Sequence, residues 1–531
     1  MKRTISIFLL LAICLPMCSL GAGFTDVPKN SWALADINAA NSVGLMEGRG
    51  NGIFGYGDKI MRSEFAAMLT RLMGWGVESG ESSNFNDVKP NQWFTGYINT
   101  LYAHDVENSR SFRPDDYITR REMAVMLVKA LGYDNLAKGE KTNPFSDVTA
   151  DKGYISVAYN LGIINGTGGD KFDPNGSATR EQGAAMMMRV HRKYYAKIDE
   201  IHGFYAISSW NQRDIAVSMD EVSFGWARLE FDNGVSLNQT SKNGNDWKLP
   251  QGYEDALTLM RDNNTAINLA VTMTDQSHCQ AILLDEANRK DAVKQIVSAA
   301  KEFDGVTIDF EGMKGDELKN GLTAFMTELK DALGGKKLNI AVHPVLSEGD
   351  YFSAYDYGKL GEICHKIILM AHDYAPNNLP SNLLNTDFIA TPVTPFGEVY
   401  TALKAITTEV DESKITLALS TTNTAAWNAR NKRITDGRVI HPSMETVAQR
   451  LSQADTEIIY SDTYRNPYAW YTTESGQQIL LWYEDARSIA DKIELAKMFG
   501  VTDISIWRIG AIPNGSADIC MNVWDTIEGM R

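Results

Sequence analysis

Asp304-Gly305-Val306-Thr307-Ile308-Asp309-Phe310-Glu311 carries the decisive pattern of the chain. Read with the two-residue period of a β-strand, Val306, Ile308 and Phe310 share one face, while Thr307, Asp309 and Glu311 share the other. The apolar face is what a buried strand needs. The other ends in two carboxylates on alternate residues, and burying them is costly unless the acids have a task.

Outward from this strand, the chain beyond about Ile201 alternates short apolar runs with helical stretches, as a parallel α/β fold does. The expected strands are His202–Ser208, Val222–Leu229, Ala266–Met273, Gly305–Glu311, Leu338–Pro344, Lys366–Asp373, Ile415–Thr421 and Asp503–Ile509. Helical patterns such as Leu318–Leu333 and Glu484–Phe499 lie between them. Eight strands over residues 200–531 suit a (β/α)8 TIM barrel, with an insertion at about 422–478 walling one side of its cleft. A doubly wound open sheet is the alternative, weakened because no Gly-rich phosphate loop follows the first strand. Barrel sites lie at the C-terminal strand ends, which is where Glu311 falls.

Three internal repeats precede the barrel. Phe24-Thr25-Asp26-Val27 recurs as Phe85-Asn86-Asp87-Val88 and Phe145-Ser146-Asp147-Val148. Each copy continues into a helical stretch, then a Phe, then an Arg eight residues on: Phe54 and Arg62, Phe112 and Arg120, Phe172 and Arg180. Such a period marks a repeat architecture, with expected units at 24–80, 85–137 and 145–192. Thr119-Arg120-Arg121-Glu122 is a capping box at the start of a helix. The first copy has Met61 for that Thr, the third has Gln182 for that Glu, and Asp105 replaces the Gly44 and Gly162 of its sisters.

Whole-chain properties bound the function. The 531 residues exceed one ordinary domain, and 44% apolar with 22% charged residues is a globular composition. A net charge of −16 excludes nucleic acid as the main partner. Lys2 and Arg3, the apolar run Ile5–Leu15 and the small residues Gly21, Ala22 and Gly23 form a secretory signal peptide over residues 1–23. Met17 before Cys18 is too bulky for a lipoprotein site, and no membrane span is expected after cleavage. Only Cys279, Cys364 and Cys520 then remain, with neither a disulfide framework nor a metal-ligand spacing. His343, His372 and Asp373 come from separate strands and form no ligand motif, so no metal and no cofactor are expected.

The octapeptide resembles the Asp-Gly-x-Asp-x-Asp-x-Glu motif of glycoside hydrolase family 18, carried on the fourth strand of a barrel. Asp304, Gly305, Asp309 and Glu311 match, and Thr307 stands where the family usually has Asp. The resemblance implies substrate-assisted, retaining cleavage of β-1,4 bonds in an N-acetylglucosamine glycan. Glu311 would be the acid and then the base, and Asp309 would hold the acetamido group. Met370-Ala371-His372-Asp373 is similar to the family's Met-x-Tyr-Asp, which gives Asp373 and His372 to the substrate along with Thr307. Trp507 in Ile506-Trp507-Arg508 would floor the scissile sugar.

The neutral Thr307 and Trp482-Tyr483-Glu484-Asp485 are most like the spore-cortex branch, which favours peptidoglycan over chitin. A lectin-like barrel and a structural S-layer component are rival readings. The repeats resemble three S-layer homology modules, small α-helical units that anchor exported proteins to a secondary polymer of the cell wall. Their resemblance assigns Arg62, Arg120 and Arg180 to an acidic group of that polymer, with Trp32 and Trp93 as sugar contacts. The expected location is the cell surface.

Overall fold

The computed structural model describes residues 23–206, 208–346, 349–372, 374, 378–513 and 521–531. The signal peptide therefore lies outside the described residues, as do Asp373 and Cys520. Two compact units are present. One holds the chain up to Gly132 with Pro144–Asp151 and Ile164–Arg189; the other holds Tyr133–Asn143, Lys152–Ile163 and Val190–Arg531.

The first unit is built on helices α1 (Leu34–Ser42), α2 (Arg62–Leu72), α3 (Thr95–Ala103), α4 (Arg120–Ala130) and most of α7 (Arg180–Tyr194). Helices α5 (Asp134–Gly139) and α6 (Lys152–Asn160), which lie between the second and third repeat motifs or within the third repeat, pack in the other unit. There Glu140 accepts from Lys404 Nζ at 2.9 Å and from the Tyr400 hydroxyl at 3.1 Å. Burial works against that carboxylate, yet Lys404 and Thr142 hold its pKa down at about 2.

The repeat motif has a direct physical cause. Each Asp accepts backbone N–H groups from the Phe turn of its own repeat: Asp26 from Phe54 at 2.7 Å, Asp87 from Phe112 at 2.8 Å and Asp147 from Phe172 at 2.9 Å. The next helix is capped by a side chain three residues in. Glu64 accepts from Met61 N, Glu122 from Thr119 N and Gln182 from Thr179 N. Gln182 thus caps as Glu does, without the charge. Short bridges Lys59–Thr179, Met61–Tyr117 and Thr119–Ser177 join the three repeats pairwise into a closed ring.

In the second unit the strands are β1 (Ile201–Tyr205), β2 (Glu221–Phe231), β3 (Val235–Asn238), β4 (Ala266–Met273), β5 (Gly305–Phe310), β6 (Lys337–Val342), β7 (Lys366–Leu369), β8 (Ile415–Ser420), β9 (Thr424–Arg430), β10 (Arg433–Ile434), β11 (Glu457–Ser461), β12 (Asn466–Thr472), β13 (Gln478–Tyr483) and β14 (Asp503–Ile509). Strands β1, β2, β4, β5, β6, β7, β8 and β14 pair in parallel and close through β1–β2 and β1–β14. This is the expected eight-stranded TIM barrel, and β3 adds only an antiparallel hairpin to β2. Strands β9–β13 form a separate antiparallel sheet between β8 and β14, which runs on from the expected insertion to Tyr483.

The alternation of β5 fixes which residues face the interior. Phe310 turns outward onto Phe325 of the helix Asp316–Leu333, with ring centroids 5.3 Å apart. Thr307 turns inward, its hydroxyl 2.7 Å from Ser223 Oγ. Ser223 Oγ meets His202 Nε2 at 2.7 Å, and His202 Nδ1 meets Ser505 Oγ at 2.7 Å. Burial lowers the His202 pKa to about 4, so this interior layer is neutral at ordinary pH. Above it, Phe204, Ala341, Ile368 and Ala418 make an apolar layer packed against Met370 and Trp507.

Candidate functional sites

Glu311 follows β5 directly, its N–H donating to the Met273 carbonyl at 2.8 Å. Gly312, with φ +71, turns the chain away at once, and an added Cβ there would lie 2.5 Å from the Thr274 carbonyl oxygen. Glu311 is therefore displayed at the barrel mouth, its side chain 34% exposed. Its Oε2 lies 3.3 Å from Nε2 of His343, which follows β6.

Asp309 sits one pleat deeper and is only 4% exposed. Among the described residues its Oδ1 has no hydrogen-bond partner. Burial first, and the charge of Glu311 second, hold its carboxyl well above the usual range. Tyr355 closes the far side, its buried hydroxyl donating to the Phe310 carbonyl at 2.7 Å.

Trp507 lies on β14 with its ring centroid 5.4 Å from Phe204 and 5.8 Å from Trp247, nearly parallel to the latter at 25°. Trp247 extends the aromatic wall. Its N–H donates to Asn245 Oδ1 at 2.9 Å, and its ring lies so close to Gly225 that a Cβ there would stand 2.7 Å away. His372 is half-buried after β7, its N–H donating to the Met370 carbonyl.

Thr307 is fully buried, with its hydroxyl between Ser223 and Asn268. The expectation of a sugar contact is corrected accordingly, because a side chain without accessible surface in the barrel interior cannot meet a sugar. Sequence reasoning did not find Trp247, Tyr355 or the His343–Glu311 contact. Trp247, a lone aromatic in the polar stretch Ser241–Lys248, was the one legible signal. Trp226 and Trp427 are core residues, and Trp210 is exposed.

In the ring of repeats the arginines each reach the next Phe turn. Arg62 Nε donates to the Phe112 carbonyl, Arg120 Nε to that of Phe172 and Arg180 Nε to that of Phe54, and each guanidinium lies over the ring of the same Phe. Arg62 is 2% exposed and paired with Glu107 and Glu122; Arg180 is 5% exposed and paired with Glu64. Both guanidiniums are thus engaged within the ring, although Arg180 also borders a cavity. At Arg120, Asn165 and Gln182 replace the acids of the sister repeats. Arg120 Nη2 donates to the Asn165 carbonyl, and Asp173 and Asp147 act on its charge from beyond hydrogen-bond distance. Trp32 and Trp93 are 62% and 61% exposed. Trp93, Arg49, Arg71 and Arg180 line a cavity of about 360 Å³.

A closed parallel barrel, with acids at the C-terminal end of one strand and an indole wall beside them, defines a TIM-barrel protein built for chemistry at its mouth. Residues 200–511 match the model for glycosyl hydrolases family 18, and the chain belongs to that family. Residues 23–66, 84–124 and 144–184 match the S-layer homology domain, which marks a cell-surface, S-layer-associated protein. The chain is 30% identical to S-layer protein EA1 of Bacillus anthracis over 243 residues, 44% of this chain and 28% of that protein. It is 25% identical to the cortical fragment-lytic enzyme of Bacillus subtilis (strain 168) over 268 residues, 48% of this chain and 59% of that protein. It thus spans about a quarter of the length of the S-layer relative and three-fifths of that of the lytic enzyme.

Two solved structures share the fold. The Bacillus cereus spore cortex-lytic enzyme SleL has a TM-score of 0.50 at 20% identity, covering 63% of this chain and 74% of that one. The chitinase from Chromobacterium violaceum ATCC 12472 has a TM-score of 0.50 at 19% identity, covering 63% and 99%. Among the described residues no cluster of His, Cys, Asp or Glu is arranged to hold a metal, and no helix is long and apolar enough to cross a membrane.

Proposed function

We propose that the protein is a wall-anchored glycosidase that cleaves β-1,4 bonds of an N-acetylglucosamine glycan, with peptidoglycan as the favoured substrate. The observation that carries the reading is the acid pair at the mouth: exposed Glu311 and, behind it, Asp309 with an unsatisfied buried oxygen. An acetamido N–H would satisfy that oxygen, which favours the Asp309 anion and hands the shared proton to Glu311. Glu311 then protonates the departing glycosidic oxygen while the substrate's acetamido oxygen bonds to C1. The resulting carboxylate deprotonates the water that opens the oxazolinium, with net retention. Trp507 and Trp247 supply a flat apolar wall suited to a pyranose face.

Peptidoglycan is favoured over chitin because the S-layer homology domains would keep the barrel beside wall glycan, and because Thr307 is neutral where chitinase-like motifs carry Asp. Anchoring would rest on the repeat arginines, Arg120 with carbonyls as its hydrogen-bond partners and Arg180 beside Trp93 at the cavity they line. The test is reducing-end release, with mass spectrometry of the products, from peptidoglycan and from chitin oligomers. Glu311→Gln is expected to lower turnover about 10²-fold or more. Binding without turnover by the wild type on both glycans would overturn the enzyme reading in favour of a lectin.

A further inference from the structure

The His343–Glu311 contact is not used by the reaction just described. His343 approaches from the neighbouring strand end, with its ring centroid 6.0 Å from Tyr351 and 6.1 Å from Tyr355, and its carbonyl accepts the Tyr357 hydroxyl. Among the described residues, the side chains recorded against the imidazole are Glu311, Tyr351 and Tyr355.

We propose that His343 is the positioning partner of Glu311, its Nε2 fixing the orientation of the carboxyl from 3.3 Å. The inference rests on the reading of Glu311 as the acid. A carboxyl displayed at the end of a strand can turn about its own side-chain bonds, and a partner held by the neighbouring strand end restricts it to the orientation that faces the glycosidic oxygen.

Two measurements on the full chain decide it. On the glycan that the wild type cleaves, His343→Ala should lower kcat about tenfold with KM little changed, and His343→Gln, which keeps a donor, should restore most of the loss. Independently of turnover, a crystal structure of His343→Ala should show the Glu311 carboxyl in a different rotamer from that in the wild type. Wild-type kcat in His343→Ala, or a Glu311 carboxyl unmoved between the two crystal structures, would overturn the proposal. Absence of turnover in the wild type would sink the glycosidase reading, while the crystal structures would still decide the pairing.

Discussion

In the ring of repeats, Arg62 and Arg180 are buried with their guanidiniums fully engaged by carbonyls and carboxylates, whereas at the barrel mouth Asp309 is buried with an oxygen that nothing among the described residues meets. Both regions place polar groups out of water, which is unfavourable unless partners replace the lost hydration. Where partners are supplied, the residue holds the structure together. We read the oxygen left unmet beside half-buried Glu311 as held for a group that arrives from outside. Arg120 sits between the two extremes, hydrogen-bonded to carbonyls, with Asp173 and Asp147 acting on its charge from farther off.

The sharpest way to break this contrast is Arg62→Ala. Removing the buried cation takes its partner from Glu107 and one of two from Glu122, which keeps Arg113, and a loss of about 2–3 kcal/mol in chemical denaturation of the ring is expected. A loss under about 1 kcal/mol would mean that Arg62 is not structural. Arg120→Ala should cost less stability, about 1–2 kcal/mol for its hydrogen bonds, but should abolish sedimentation of the protein with purified wall sacculi. If Arg120→Ala and wild type pellet equally, the Arg120 guanidinium is not the wall contact. Trp247→Ala removes one side of the indole wall. A rise in KM of about tenfold is expected from about 1.4 kcal/mol of lost stacking, with kcat little changed.

The barrel was legible because its signals are local. The period-2 alternation of Gly305–Phe310 and its seven sister strands puts each strand where the sequence expects it, and Glu311 at a strand end needs only that register. Closure of the repeats was not legible. Arg180 meets Phe54 across most of the repeat region, and nothing in a hydropathy pattern separates a buried arginine from an exposed one. For the same reason the departure at Gln182, plain in the sequence, gains its structural setting only once Arg120 is seen beside the third repeat's turn. Trp247 reaches the mouth from a loop and Tyr355 from beyond β6, and loop residues carry no periodicity to say where they point.

The most direct test of the contrast is the thermal midpoint of Asp309→Asn against wild type from pH 4 to pH 8, measured beside turnover. The folded carboxyl titrates well above its unfolded value, so native stability is undiminished below about pH 4 and is lost as pH rises toward the folded pKa. Asn carries no such penalty. Asp309→Asn is therefore expected to match wild type at pH 4, to melt higher by roughly 2–4 °C or more at pH 7.5, and to be inactive. A variant that melts lower than wild type at pH 7.5, or that keeps its turnover, would contradict the claim that Asp309 is held unsatisfied for the substrate.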